Sequence, residues 1–192
     1  LDRIDAASVV VPTIYHAEIA ETLIEAGKHV LVEKPMTDSS ATARKLCEQA
    51  RDRGVALQVG HIERFNPVMQ AFQKLEIEPL FIEAHRLSPF SFRSVDIGVT
   101  LDLMIHDLDI ILHLVGSPLK SVDACGVPVI SEGYEDISNA RLTFENGCVA
   151  NVTASRASIK KMRKIRVFSR DSYASLDYMK RRGVIYKKSP KL

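Results

Sequence analysis

The stretch AASVVVPTIYHAEIAETLIEAGKHVLVEKP, residues 6–35, decides the fold class of this chain. Residues 6–11 form a short, β-branched and continuously apolar run, which is typical of a strand buried on both faces of a parallel sheet. Apolar residues then recur at helical spacing over residues 16–26, and Gly27 follows as the usual residue just past a helix end. A second apolar run covers residues 29–32. Strand, helix and strand in this order predict a right-handed βαβ unit.

The residues that follow repeat this alternation. Asp38 or Ser39 can cap a second helix, which Gly54 ends, and residues 55–59 form a third apolar run. Strands and helices that alternate at this spacing are typical of a doubly wound parallel sheet. We therefore predict an α/β fold that begins with the C-terminal half of a Rossmann domain over residues 1–78.

The pattern changes near residue 79. A strand is predicted at residues 80–87 and a long helix at residues 101–115. Asn146-Gly147 predicts a hairpin, because both residues tolerate the positive φ angles of a tight turn. We expect a second α/β domain over residues 79–192, in which the long helix packs on a largely antiparallel open sheet. The strands predicted after that helix are residues 122–129, 137–144, 148–155, 164–169, 173–178 and 184–187.

Composition excludes several classes of protein. The 26 basic and 24 acidic residues give a formal net charge of +2, which is too balanced to indicate nucleic acid as a partner. Cys47, Cys125 and Cys148 show no CxxC spacing, so neither a zinc site nor a disulfide framework is indicated. No apolar run approaches the roughly 20 residues of a membrane span, and the charged start does not have the form of a signal peptide. We predict a cytoplasmic protein with no nucleic-acid and no membrane partner.

Three places carry candidate chemistry, and the first is Glu33-Lys34-Pro35, directly after the second predicted strand. Residues just past the carboxyl ends of parallel strands line the crevice where ligands bind in open α/β sheets. A lysine in that crevice can stabilise a developing alkoxide by its positive charge. Most lysines lie at the surface, however, so an isolated Glu-Lys-Pro fits a solvated loop as well.

The second place is the long helix, where Asp102 and His106 lie four residues apart. They share one face, on which the carboxylate can bond the imidazole and fix its tautomer. This arrangement suits a histidine that acts as general base on a substrate hydroxyl. The pair can equally be a satisfied polar contact, or Asp102, His106, Asp109 and His113 can form a metal site. Metal ligands on one helix normally need partners from other elements, and the sequence shows none with a clear signature, so no metal is predicted.

The third place is GHIERFNP, residues 60–67, in which His61, Arg64 and Asn66 follow the third predicted strand. The alternative is purely structural, because Asn66 can cap a helix that begins at Pro67. A basic cluster further along the chain can hold a phosphate or simply lie in solvent. Its members are Arg156, Lys160, Lys161, Arg163, Lys164 and Arg166.

Taken together and in order, three segments resemble the Gfo/Idh/MocA family of oxidoreductases. They are VPT with HAE at residues 11–13 and 16–18, AGKHVLVEKP at residues 26–35, and the helix that carries Asp102, His106, Asp107 and Asp109. The resemblance covers nearly the whole chain. It implies a Rossmann domain that binds NAD or NADP, followed by an α/β domain for substrate binding and oligomerisation. We therefore expect a homo-oligomer formed through the C-terminal sheet.

The same resemblance implies roles for individual residues. Lys34 is expected beside the nicotinamide and the substrate, His106 as the acid/base, and Asp102 as a residue that binds substrate or orients the histidine. The residues expected to contact or shape the cofactor pocket are Pro12, Thr13, His16, Glu33 and Lys34. The chain begins at Leu1 without a methionine and contains no GxGxxG, so we interpret it as a fragment truncated at both ends, which alone can be inactive.

The substrate expectation also comes from the resemblance. Residues 60–67 are similar to the segment in family members that oxidise UDP-linked amino sugars at the 3-position, and the basic cluster would suit a diphosphate. The residues expected to bind substrate are His61, Arg64, Asn66, Asp102, Lys160 and Arg163. Three alternatives stay open: a free-sugar or inositol dehydrogenase, a non-catalytic binding and oligomerisation module, and a metal-dependent hydrolase.

Overall fold

The computed structural model of the protein describes residues 2–91 and 97–189, and the chain divides into two compact units, residues 1–61 and 62–192. The predicted α/β fold class is confirmed. Residues 62–78 belong to the second unit, and Val68, Met69 and Phe72 of this segment are buried in its core. This division concerns compactness alone, and the predicted boundary between a cofactor domain and a substrate domain after residue 78 stays a prediction.

The first unit is a three-stranded parallel sheet with two helices. Its strands, in the spatial order β1-β2-β3, are β1 (Ala6–Val9), β2 (His29–Val32) and β3 (Leu57–Val59). Its helices are α1 (His16–Glu25) and α2 (Ser40–Asp52), and a 3-10 turn, Thr13–Tyr15, precedes α1. The alternation of strands and helices is the predicted one.

Local sequence signals set the helix ends of this unit. Ser39 caps α2, because its hydroxyl accepts a hydrogen bond from the Thr42 N–H at 3.2 Å. Gly27 and Gly54 follow the two helices with φ angles of 70° and 67°, which glycine adopts without strain. The first strand ends at Val9, two residues earlier than predicted, because its pairing with β2 stops at the Val9–Val32 pair.

The parallel sheet is covered on one face by α1 and α2. Val30 and Val32 are buried against these helices, whereas Leu31 lies on the other face and is 44% exposed. The prediction of strands buried on both faces is therefore wrong for the described residues. The reason is that both helices share a single core with the same face of the sheet.

The second unit is a seven-stranded sheet with helices packed on it. Its strands, in the order β10-β9-β8-β4-β7-β6-β5, pair in antiparallel fashion except for β4 and β7, which are parallel. This confirms the predicted largely antiparallel sheet. The elements in chain order are α3 (Pro67–Gln73), β4 (Phe81–Leu87), α4 (Ile105–Val115), β5 (Leu119–Val127), β6 (Ile137–Phe144), β7 (Val149–Ser155), β8 (Met162–Phe168), β9 (Ser172–Asp177) and β10 (Arg182–Lys187).

The long helix predicted at residues 101–115 begins differently from an α-helix. A π turn, Thr100–Met104, precedes α4, and the Ile105 N–H bonds the Thr100 carbonyl five residues back. Gly116 ends α4 with a φ of 58°, as predicted. The inner face of the sheet packs against this helix, so Ile110 and Ile111 share one core with residues of β4, β6, β7, β8 and β9. The sheet thereby supports the helix that carries Asp102 and His106.

The predicted hairpin is present between β6 and β7, where Gly147 has a φ of 86°. No helix formed by residues 2–91 or 97–189 combines the length and the apolar character needed to cross a membrane.

Candidate functional site

In the first unit, the predicted site residues lie where β2 and β3 end. Lys34 directly follows Glu33, whose Oε2 accepts the Lys34 N–H at 3.3 Å. Gly60 follows β3 and bonds back to Val32 through its N–H at 2.8 Å. A Cβ at Gly60 would lie 3.3 Å from the Glu33 carboxylate, so the glycine leaves room for that side chain. The ends of β2 and β3 thus lie side by side, and the Glu33 carboxylate lies next to Gly60.

His16 connects this edge to the end of β1. Its side chain is buried, with Nδ1 2.8 Å from the Pro35 carbonyl oxygen and Nε2 2.9 Å from the Val11 carbonyl oxygen. The Lys34–Pro35 peptide bond is cis. The imidazole therefore fixes the chain after β1 to the chain after β2. The expected contact between His16 and a cofactor stays a prediction, and the observed contacts fit shaping through the backbone.

Pro12 and Thr13, the other predicted cofactor residues of this unit, lie in the turn between β1 and α1. Pro12 is exposed, and its carbonyl accepts the Tyr15 N–H at 3.0 Å, which closes the 3-10 turn. Val10 and Ile14 on either side are 71% and 63% exposed. The carboxyl end of β1 therefore presents apolar side chains to solvent, at the edge where ligands bind in open α/β sheets.

In the second unit, Asp102 lies within the π turn and His106 within the first turn of α4. Both side chains are half-buried. π turns are rare and occur frequently at functional sites. The structure therefore confirms that a helical segment carries both residues. Their common face was predicted from regular α-helical spacing, and Asp102 instead lies in a π turn.

A buried ion pair anchors α4 beside His106. Asp107 receives two hydrogen bonds from Arg86 of β4, at 2.8 and 2.9 Å, and both residues are 1% exposed. Burial disfavours the charged guanidinium, yet the neighbouring Asp107 carboxylate outweighs it and raises the pKa of Arg86 above its ordinary value. Sequence reasoning missed this pair, although Arg86 follows Ile82 and Ala84 at the alternate positions of β4 that face inward, which was a signal for it.

The Arg86 guanidinium also approaches other groups of this unit. Its Nη1 lies 3.6 Å from Glu63, and its centre lies 5.9 Å from the ring centroid of Tyr178. Burial raises the pKa of the Tyr178 hydroxyl well above its usual value, and this hydroxyl donates to the Met69 sulfur at 3.2 Å. Through these contacts, Arg86 of β4 connects α4 with Glu63 of the GHIERFNP segment.

The GHIERFNP segment makes structural contacts in the second unit. Arg64 donates to Asp109 of α4 through Nε at 2.7 Å and through Nη2. Asn66 accepts the Val68 N–H at 3.2 Å, and its amide donates to the Tyr178 carbonyl. The helix-cap interpretation of Asn66 and Pro67 is therefore what the geometry shows. Substrate contacts of His61, Arg64 and Asn66 stay predictions.

The predicted basic cluster divides into buried and exposed members. Arg156 is buried and bonds Asp136 at 2.7 Å, and Arg166 bonds Glu83 at 2.6 Å. Arg163 is exposed, with Nη1 3.5 Å from Glu63. The remaining exposed members are Lys160, Lys161 and Lys164. The interpretation as one phosphate-binding patch is therefore wrong for Arg156, because a buried carboxylate takes its charge.

No group of three or more His, Cys, Asp or Glu side chains in the described part of the chain is arranged to hold a metal ion.

Two family descriptions, one for each part of the chain, match this sequence. Residues 1–61 match the family described as "Oxidoreductase family, NAD-binding Rossmann fold", and residues 81–172 match the "GFO/IDH/MocA C-terminal domain". Together the two matched segments make up most of the chain.

Curated relatives extend these matches. The chain is 41% identical over 187 residues to UDP-N-acetylglucosamine 3-dehydrogenase of Acidithiobacillus ferrooxidans, which covers 97% of this chain and 59% of the relative. It is 31% identical over 169 residues to scyllo-inositol 2-dehydrogenase (NAD(+)) of Bacillus subtilis, covering 81% of this chain and 49% of the relative. The chain therefore spans less than two thirds of the length of either relative.

Solved structures agree in fold. The Acidithiobacillus ferrooxidans UDP-N-acetylglucosamine 3-dehydrogenase matches with a TM-score of 0.91 at 41% identity, over 97% of this chain and 62% of that chain. Levoglucosan dehydrogenase in complex with NADH matches with a TM-score of 0.88 at 21% identity, over 97% and 58% of the two chains. The second likeness shows the fold alone.

Proposed function

Since the chain belongs to the Gfo/Idh/MocA family of oxidoreductases, we propose that the protein is an NAD(P)-dependent dehydrogenase that transfers a hydride between a sugar ring carbinol and nicotinamide. The observation that carries this proposal is the 41% identity, over 97% of the chain, to a nucleotide-sugar dehydrogenase. The catalytic residues are Lys34, Asp102 and His106. A non-catalytic binding and oligomerisation module has no need of all three, which is why we favour an enzyme.

The edge of the first unit suits the nicotinamide half of such a cofactor. Ligand sites combine apolar lining with a few placed polar groups, and here exposed Val10 follows β1 while Glu33 and Lys34 follow β2. Gly60 leaves room for the Glu33 carboxylate at this edge. We assign cofactor binding to Pro12, Thr13, Glu33 and Lys34, and shaping of the edge to His16. NAD or NADP, when bound, supplies the hydride acceptor.

The chain's own residues handle the proton and the charge. His106 accepts the proton of the substrate hydroxyl as general base, a role that typically contributes about 100- to 10,000-fold to the rate. Asp102 binds the substrate or orients the imidazole. Lys34 lends positive charge to the alkoxide that develops as the proton leaves. The ion pair between Arg86 and Asp107 fixes α4, which carries His106, to β4.

For the substrate, we propose a UDP-linked amino sugar oxidised at the 3-position. The support is the name of the 41% identical relative and the exposed basic side chains of Lys160 and Arg163, whose charge suits a diphosphate. Arg64 would contribute through its guanidinium, which has five N–H groups, of which Asp109 takes two. We also assign substrate binding to His61 and Asn66. An inositol dehydrogenase is the second candidate, because of the 31% identity to the Bacillus subtilis enzyme.

The test uses the full-length protein and follows reduction of NAD and NADP with UDP-N-acetylglucosamine and with myo-inositol. Turnover with the nucleotide sugar is expected. His106→Ala should lower kcat by about 100-fold or more while binding of the dinucleotide persists, and His113→Ala, an exposed histidine of the same helix, should leave kcat unchanged. Turnover with myo-inositol alone would overturn the substrate assignment, and full activity of His106→Ala would remove the assigned base.

We propose that the protein forms a homo-oligomer in which a second copy of the chain packs on the outer face of the seven-stranded sheet. Charges alternate along one row of neighbouring strands, from Asp123 and Arg141 to Glu83 and Arg166. A row with both signs can pair with itself around a two-fold axis. Arg141→Glu should shift the full-length protein to a smaller species in size-exclusion chromatography with light scattering. An unchanged mass would contradict this interface.

We also place the protein in the cytoplasm. Cys47, Cys125 and Cys148 are free thiols, and free cysteines are compatible with a reducing compartment. Cell fractionation with an antibody against the full-length protein would test this, and recovery outside the cytosolic fraction would contradict it.

A further inference from the structure

The π turn that carries Asp102 begins at Thr100, and all three hydrogen-bonding groups of Thr100 are engaged. Its N–H donates to Oε1 of Glu135 at 3.0 Å. Its hydroxyl donates to the Ser138 hydroxyl at 3.0 Å. Its carbonyl accepts the Ile105 N–H, the bond that defines the π turn. Glu135 and Ser138 therefore hold the residue from which the turn starts.

Glu135 also lies directly against the backbone before the turn. The Val99 N–H donates to the Glu135 carbonyl at 3.0 Å. At Gly98, a Cβ would overlap the Glu135 carboxylate. Gly98 is thus a place where the absence of a side chain lets a carboxylate reach the N-terminal end of a helix, where negative charge is favourable.

The loop that carries Glu135 is itself fixed. The neighbouring Asp136 is buried, and its Oδ2 accepts the N–H groups of Val129, Ile130 and Ser131 at 2.6 to 2.8 Å. Arg156 bonds Asp136 and also donates to the Ile97 carbonyl at 2.9 Å. One end of this network therefore holds Glu135, and the other holds the residue before Gly98.

The carboxylate of Glu135 stays ionised in this setting. Burial alone would raise its pKa, but hydrogen bonds from Thr100 and the charge of Arg156 outweigh burial and lower the pKa below the ordinary value. The group that accepts the Thr100 N–H is therefore a charged acceptor, which bonds more strongly than a neutral one.

We propose that Glu135 is a positioning residue for the dehydrogenase reaction: by holding Thr100 it maintains the π turn and thereby sets the direction of the Asp102 side chain relative to His106. This rests on the proposed function. A π turn carries one more residue per hydrogen-bonded ring than an α turn. Relaxation to a regular α-helix would rotate Asp102 around the helix axis while His106, in the α-helical part, keeps its place.

The geometry predicts a specific coupling between Glu135 and Gly98. A side chain at Gly98 acts by displacing the Glu135 carboxylate, so its effect should vanish once that carboxylate is gone. The variants are Glu135→Ala, Gly98→Ala, their combination, Glu135→Gln, which keeps an acceptor oxygen, and Glu145→Ala as control. Glu145 is an exposed glutamate in the hairpin between β6 and β7 of the same unit.

In the full-length protein, at a temperature where every variant is folded, Glu135→Ala and Gly98→Ala should each lower kcat by about tenfold, the loss expected for one hydrogen bond to a charged group. KM for the dinucleotide should stay constant. The double variant should be no worse than either single one. Glu135→Gln should retain most of the turnover, and Glu145→Ala all of it. Wild-type kcat in Glu135→Ala, or a full further loss from Gly98→Ala in the Glu135→Ala background, would overturn the proposal.

Hydrogen exchange of the segment at residues 98–106 separates this proposal from the proposed function. Exchange should accelerate in Glu135→Ala and not in Glu135→Gln or Glu145→Ala. Unchanged exchange would show that Glu135 does not hold the turn. If the wild-type protein oxidises none of the sugars, the proposed function and the catalytic part of this inference both fail, while the exchange result still decides whether the contact maintains the turn.

Discussion

The two units hold their predicted site residues by different means. In the first unit, Lys34 and Glu33 lie on a loop that is fixed by backbone carbonyl contacts of His16. In the second unit, the buried ion pair of Arg86 with Asp107 fixes the helix that carries His106. By contrast, an ion pair of the first unit, Lys45 with Glu21, lies at the surface, where the Lys45 side chain is 63% exposed.

This difference reflects how much core each unit has. Among residues 2–91 and 97–189, eight buried apolar residues form the core of the first unit, whereas the core of the second contains twenty-two. A larger core can enclose charged pairs that exclude water, and such pairs specify one arrangement because a broken pair leaves a buried charge. The second unit can therefore orient side chains of α4 closely, while the first presents its groups at an open sheet edge.

The largest expected effect is on the second unit. Arg86→Met leaves the Asp107 carboxylate buried without its partner, and this should lower the free energy of unfolding by about 3–5 kcal/mol. The double variant Arg86→Met/Asp107→Leu should recover much of that loss, because it removes both charges. Urea unfolding of the variants measures both values. A loss below about 1 kcal/mol would mean that the pair is not a main support of α4.

Acid should weaken the same unit through Asp136. Burial raises the pKa of this carboxyl, but backbone hydrogen bonds and Arg156 outweigh burial and lower it far below the ordinary value. Since the folded-state pKa is depressed, this stabilisation is present above the unfolded-state value of about 3.9 and is lost as the pH falls below it. Stability of Asp136→Asn should therefore change less between about pH 5 and pH 2 than that of the wild type. Equal pH dependence in urea unfolding would refute this.

A smaller effect is expected in the core of the first unit. Ile24 is fully buried, and Ile24→Val removes one methyl group at a cost of about 0.5–1.5 kcal/mol. Ile14→Val, at a position that is 63% exposed, serves as the control and should change little. Equal effects of the two variants on the unfolding midpoint would indicate that the small core is not packed as described.

The smallest effect is expected at the surface of the first unit. The Lys45 side chain bonds Glu21 at 2.8 Å but is 63% exposed. Exposed ion pairs contribute little, because solvent screens them and ordering two long side chains costs entropy. Lys45→Ala should therefore leave the unfolding midpoint unchanged within error. A large shift would remove the contrast between exposed pairs here and buried pairs in the second unit.

Signals that act over a few residues predicted local structure well. Ser39 caps α2, Asn66 caps α3, Gly116 ends α4, and Asn146-Gly147 forms a hairpin, each as the sequence indicated. Such features depend on backbone angles and hydrogen bonds within one turn, so neighbouring residues suffice to specify them. The spacing of Asp102 and His106 also placed both on one helical segment, but it did not indicate the π turn.

The sequence by itself determined the α/β class and the order of the elements, because apolar periodicity encodes them. Its short motifs carried the resemblance to the family, and that resemblance supplied the site candidates. Only the tertiary structure decided that Arg156 is buried, that Asp107 pairs with Arg86, and that Glu135 holds Thr100. These partners lie 20 residues or more apart in the chain. Strand register and helix packing bring them together, and no local pattern records that register.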